Sequence, residues 1–175
     1  MMNWIETIAI MILVKQDMEK YDEEGLWEYH LPEVAASEEL LIKTEQHLGY
    51  HLDSEYKEFL KYANGWKSFY QSVDLFGTNE LVSSSDMDYA VNILNAIEDS
   101  VIFECGVPRD ELLPIAVTKI DKDLFVITKL NSSNPGQVIW FAGEEIDRFD
   151  NFKEFFLSMI DYNREELKYF KDLNG

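Results

Sequence analysis

Three things are scarce in this chain, and each scarcity removes a class of protein. Cys105 is the single cysteine, so no internal disulfide can form and a secreted, disulfide-stapled domain is excluded; reducing cytoplasm is the expected setting. Basic side chains are few, with 15 Lys plus Arg against 34 Asp plus Glu and a formal charge of -19. A field of that sign repels phosphates and anionic lipid, so neither nucleic acid nor membrane is an expected partner. Long apolar runs are missing as well. Ile8–Val14 spans only seven residues, too few to cross a bilayer. With Glu6 ahead of it, no Lys or Arg, and no small-residue cleavage motif behind, it reads as part of a buried helix rather than a signal peptide.

What is present suits one globular domain. Apolar residues make up 46% of the 175 positions and aromatics 14%, and a chain of this length buries about 70% of its unfolded surface without needing a second core. The negative charge is uneven. Residues 1–36 carry Glu6, Asp17, Glu19, Asp22, Glu23, Glu24, Glu28 and Glu33 against Lys15 and Lys20, and residues 66–99 carry six acids against Lys67 alone. Either this charge serves solubility or those regions form an acidic face for a basic protein partner.

Periodicity places the elements. Residues 4–21 read as a helix with Trp4, Ile8, Met11, Ile12 and Met18 on one side, and residues 22–36 read as an acidic connector. Ser37 caps a helix over 38–48 that Gly49 stops; Asp53 caps another over 54–63, closed by Asn64-Gly65,. A further helix is expected at 87–99 and a last one at 151–171. Val73–Phe76, Glu80–Val82, Leu113–Val117, Leu124–Leu130 and Gln137–Phe141 read as strands, and the short links between successive strands favour antiparallel pairing. Four to six strands are expected, with Leu41, Phe59, Leu60, Leu75, Ile115, Ile127, Val138, Phe152 and Phe155 buried.

Catalytic chemistry finds no footing. His47 and His51 are four apart, but Gly49 intervenes, so they need not share a helix face, and no metal is expected. Asp86-Met87-Asp88 and Asp121-Lys122-Asp123 lack the oxygen ladder and central glycine of a calcium loop and read as turns. Ser83-Ser84-Ser85 has no nucleophile-elbow glycines, Cys105 reads as a small buried thiol, and no phosphate-binding or dinucleotide loop occurs,. No cofactor is expected. Binding residues are easier to nominate. Trp66 and Tyr70 lie in a cluster of three aromatics with Phe69 and read either as a loop anchored in the core or as an interface anchor. Asp74, Glu80, Asp86 and Asp88 are the acidic candidates, because their region has almost no compensating cation. Trp140 reads as core, and Glu144, Glu145 and Asp147 as a solvated turn.

An ordered set of short pieces carries more information than any one of them. Leu31-Pro32 is followed by a helix holding Leu40, Leu41, Glu45 and Leu48 before Gly49, then Leu52-Asp53, Tyr56-Lys57-Glu58-Phe59-Leu60 and Asn64-Gly65. Leu75-Phe76-Gly77, Leu113-Pro114-Ile115, Gly136-Gln137-Val138-Ile139-Trp140 and Phe152-Lys153-Glu154-Phe155-Phe156 complete it. Over roughly residues 31–161 this resembles the SMI1/KNR4, or SUKH, superfamily. The resemblance implies an α+β fold, a mainly antiparallel bent sheet with packed helices, in which residues 1–30 are a helical extension packed on a domain spanning 31–175. It departs from the family at Asp121-Lys122-Asp123-Leu124, where a glycine-rich loop is common. The function implied is that of a cytoplasmic, non-catalytic immunity protein that binds and neutralises a cognate polymorphic toxin, such as a nuclease. The alternative is a regulatory or scaffold protein with an endogenous protein partner.

Overall fold

The computed structural model describes residues 1–174. Among these residues seven α-helices pack around one six-stranded sheet. Helix α1 (Trp4–Tyr21) begins at Asn3, whose Oδ1 accepts from Glu6 N at 3.2 Å. Helix α2 (Glu38–Leu48) is capped by Ser37 and ends at Gly49, whose φ of 81° is the left-handed value a residue without Cβ takes freely,. Asp53 accepts from Glu55 N and Tyr56 N to start α3 (Ser54–Leu60),. These caps are the residues that local chemistry nominates.

Strands β1 (Trp66–Tyr70), β2 (Val73–Leu75), β3 (Leu112–Val117), β4 (Leu124–Thr128), β5 (Val138–Phe141) and β6 (Glu145–Phe149) pair antiparallel in chain order. Every residue of β3, β4 and β5 is buried, so both faces of the sheet's middle are covered. Pro114 lacks the N–H that a central strand donates, and the register shifts between Pro114 and Ala116 to absorb it,. The final helix, α7 (Phe152–Asn174), packs on α1 and reaches across to β1 and β6. Its buried Asn163 donates to Phe69 O at 3.0 Å and Met159 O at 2.9 Å, tying helix to sheet. Trp4 of α1 lies 5.3 Å from Phe59 and 5.4 Å from Phe156, ring centre to ring centre, so α1, α3 and α7 share one aromatic core,.

Four expectations are corrected. Glu80–Val82 is not a strand: Thr78–Leu81 forms the short helix α4, and Glu80 Oε2 accepts from Gly77 N at 2.9 Å to hold its start. The helix expected at 87–99 is two, α5 (Ser85–Ala96) and α6 (Asp99–Cys105). Ile97 is extended between them, its N–H donating to Leu94 O at 3.3 Å, and Arg109 donates to the carbonyls of both Leu94 and Ile97 at the break,. Glu145 and Asp147, read with Glu144 as a solvated turn, belong instead to edge strand β6, which buries only Phe149 and leaves Glu145 and Ile146 exposed. Finally, α3 ends at Leu60, although Ala63 N still bonds Phe59 O at 3.0 Å.

Candidate functional site

Of the two nominated aromatics, one is core. Trp66 is 1% exposed, its Nε1 donates to His30 O at 2.8 Å, and its ring lies 6.4 Å from Phe156. An interface anchor there is ruled out by burial. The reason is Ser68, whose φ of 52° breaks the strand's two-residue alternation, so that Trp66 and Phe69 both turn inward,. Asp74 Oδ1 accepts from Ser68 N at 2.8 Å and holds that conformation.

Tyr70 is half-buried and belongs to a cluster contributed by three distant segments. Its ring centre is 6.0 Å from Trp140 on β5 and 5.9 Å from Tyr162 on α7, and those two are 5.2 Å apart. Phe125 stacks beneath Trp140 at 4.9 Å. Acids fringe the cluster: Asp123 accepts from Trp140 Nε1 at 2.8 Å and Asp147 from the Tyr162 hydroxyl at 3.0 Å. Burial, reinforced by the nearby charges of Glu166 and Asp123, pushes the Tyr70 hydroxyl up to about 12. Burial also raises Asp123, against the opposing hydrogen bond from Trp140. Aromatic rings ringed by carboxylates suit a Lys or Arg side chain, which gains from both the ring faces and the charge. Sequence reasoning nominated Tyr70 but missed Tyr162, and took Trp140 as core, which its 7% exposure supports.

The four nominated acids have unequal freedom. Asp86 pairs with Lys119, and Asp74 lies close enough to add to the same field, so the two converge on one cation just beyond β3. Glu80 is occupied at Gly77 N. Asp88 alone among them is exposed, in the first turn of α5.

A second charged group escaped the sequence reading. Glu45, buried on α2, is held by Lys57 and by His51 Nδ1. Burial pushes its carboxyl up, but the hydrogen bonds from Lys57 and His51 outweigh this and leave it below the ordinary value,. These three line a cavity of about 470 Å³ with Ile42, Gln46 and Tyr50. The spacing Glu45, His51, Lys57 has no periodic signature, because Gly49 reverses the chain between them.

Nucleophile geometry is sparse. Ser83 Oγ is 3.2 Å from His47 Nε2 at the surface, and among the described residues no acid orients that ring,. Cys105 is buried and its thiol faces Val107 O at 3.5 Å. His30 lies by Glu28, so the three histidines sit apart. Among the described residues no helix is long and apolar enough to cross a membrane.

Comparison with known proteins agrees with the ordered motifs. A search of curated proteins finds no match. One solved structure, described as the crystal structure of a protein from Pseudomonas syringae pv. tomato, is similar at 18% identity and a TM-score of 0.47, covering 80% of this chain and 92% of that one. The model of the SMI1 / KNR4 family (SUKH-1) matches residues 35–158, from just before α2 into α7. The chain belongs to the SMI1/KNR4 family (SUKH-1).

Proposed function

We propose that this protein is a non-catalytic immunity protein that binds a cognate toxin domain and blocks it in the cytoplasm of the producing cell. Family membership is compatible with that role. The observation that carries the reading is the cluster of half-buried Tyr70 and Tyr162 around the buried Trp140, with Asp123 and Asp147 on its rim, on a chain of net charge -19. Carboxylates steer a basic domain such as a nuclease into encounter, and aromatic rings supply short-range affinity with little side-chain entropy lost.

Where a toxin gene is found beside this one, growth rescue on co-expression with it, together with a stable complex of the two purified proteins, is the expected result. No rescue and no complex overturns the reading and leaves an endogenous regulatory partner as the working alternative, to be identified by pull-down and mass spectrometry.

A further inference from the structure

Helix α1 spends only part of its apolar surface on the core. Met11, Met18, Trp4, Ile8 and Val14 face inward. On the outward side Ile5 is 68% and Leu13 62% exposed, with Ala9 exposed between them and Ile12 half-buried beside them. At 3.6 residues per turn these four form one stripe. Leu31, from the extended strap of residues 22–37, is 67% exposed and lies next to Ile12 across a cleft of about 180 Å³. An apolar stripe along a helix is ordinarily covered by a neighbour. Here one side is bare.

We propose that this face is a docking surface for a protein partner presenting an apolar helix face or groove flanked by Lys and Arg. The rim names that chemistry. By helical spacing Glu6 borders the stripe on one side and Glu19 on the other, and Glu33 follows Leu31 two positions on in the chain,. Of the region's cations, Lys15 is 3% exposed and lines the cleft with Ile12 and Leu31, and Lys20 is engaged with Asp17 at 3.1 Å, so that among the described residues Glu6, Glu19 and Glu33 have no ion-pair partner. A second copy of this chain would set acid against acid across a two-fold interface, and an anionic membrane would be repelled in the same way. The face is also rigid before contact, because Trp4, Met11 and Met18 pin α1 to the core, which lowers the entropy lost on docking,. It lies outside residues 35–158, the part that the family model matches. The proposal adds a second contact surface to the toxin-binding reading but does not depend on that partner being a toxin.

The test uses the full chain and the variant I5Q/L13Q/L31Q, in which exposed apolar side chains become polar and the helix keeps a good former at positions 5 and 13. Unchanged melting shows that the fold is retained; a lowered melting point shows the residues to be structural and overturns the proposal. The probes are a labelled 18-residue Lys/Leu amphipathic helix, its Glu/Leu counterpart, and the toxin domain used in the rescue experiment, each titrated at about 0.15 M salt. At least tenfold loss of Lys/Leu affinity in the variant, with no binding of the Glu/Leu helix, is the expected result. Equal Lys/Leu binding by both proteins means that net charge alone acts, and overturns the proposal. Concentration-dependent dimerisation that the variant abolishes assigns the face to a second copy, and overturns it too. If the toxin domain binds both proteins alike, the immunity reading stands and the docking surface contributes nothing to it. If the Lys/Leu helix separates the two proteins while the toxin domain binds neither, the docking surface stands and the immunity reading falls.

Discussion

Gly77 sits directly against Asn64: a Cβ on Gly77 would lie 2.0 Å from the Asn64 carbonyl oxygen. Gly65 in turn has a φ of 94°, and a Cβ there would fall 2.7 Å from Gly77 N. The Asn64 amide group completes the junction, with Oδ1 accepting from Thr78 N at 2.8 Å and Nδ2 donating to Thr78 Oγ1 at 2.7 Å. Two separate pieces of the motif pattern, Asn64-Gly65 and Phe76-Gly77, are thus one interlocked contact between the end of α3 and the start of α4. Gly77→Ala, which must push backbone from backbone, should cost about 3 kcal/mol. Asn79→Ala, one turn position away and exposed, should stay within about 0.5 kcal/mol. Urea unfolding of the two variants makes the comparison, and a stable G77A protein would show that the junction yields.

Lys15 should be a burden at neutral pH. Its ammonium is buried without a hydrogen-bond partner, and burial lowers it from 10.5 to about 8 against the opposing charge of Glu166. The folded state then holds its proton less tightly than the unfolded chain between about pH 8 and 10.5, so stability owed to this group rises with pH across that window. Lys15→Met should match or exceed the wild type at pH 7. The wild type should gain on it by an amount on the order of 3 kcal/mol as pH climbs through the window. Urea midpoints of the pair at pH 7 and 10 read this; a constant difference would mean the amine is solvated.

Asp22 works in the opposite sense. Burial pushes its carboxyl up, but donors from Leu26 N at 2.9 Å, Trp27 N at 3.1 Å and the Tyr29 hydroxyl at 2.8 Å outweigh it and hold the group below 3.8. A depressed acid contributes stability above its unfolded value and loses it as pH falls through its folded value. Asp22→Asn should therefore cost about 1–2 kcal/mol at pH 7, and the gap to wild type should close below about pH 4. Melting curves at pH 7, 5 and 3 give the answer, and a gap that does not narrow at all between pH 5 and 3 would assign the loss to packing.

Trp66 and Tyr70, four residues apart, should behave as different kinds of residue. Trp66→Ala opens a buried cavity and orphans His30 O, costing about 3–5 kcal/mol,. Tyr70→Ala, at the half-buried edge of the cluster, should cost less in stability and weaken partner binding at least tenfold. Thermal melts beside calorimetric titration separate the two; equal binding by Y70A would remove the cluster from the interface.

Asp88 is the clean probe of electrostatic steering, because Asp74, Glu80 and Asp86 each hold a partner within the fold. Asp88→Lys should lower melting only slightly, since it also removes an acid from the first turn of α5,, while it slows association with a basic partner several-fold and flattens its dependence on salt. Stopped-flow association at 50 and 300 mM salt is the measurement.

What was legible in the sequence is what a few neighbouring residues decide among themselves. Ser37, Gly49 and Asp53 mark helix ends because a cap is a hydrogen bond or a backbone angle settled within a turn,. The runs Leu113–Val117, Leu124–Leu130 and Gln137–Phe141 announced central strands by their unbroken apolarity, and all nine side chains named in advance as core are buried. Asn64-Gly65, Phe76-Gly77 and the rest identified the family through their order alone. Tertiary structure decided the remainder. Edge strand β6 looks like a turn because one of its faces meets water. The inward turn of Trp66 depends on Ser68 and on Asp74, which reaches it only once the hairpin has closed. The candidate site joins Tyr70, Trp140 and Tyr162 from β1, β5 and α7, and α1's bare stripe is defined by which of its apolar residues α7 happens to cover. Local propensity is blind to both, since a contact between residues far apart in the chain is set by packing and leaves no period behind it.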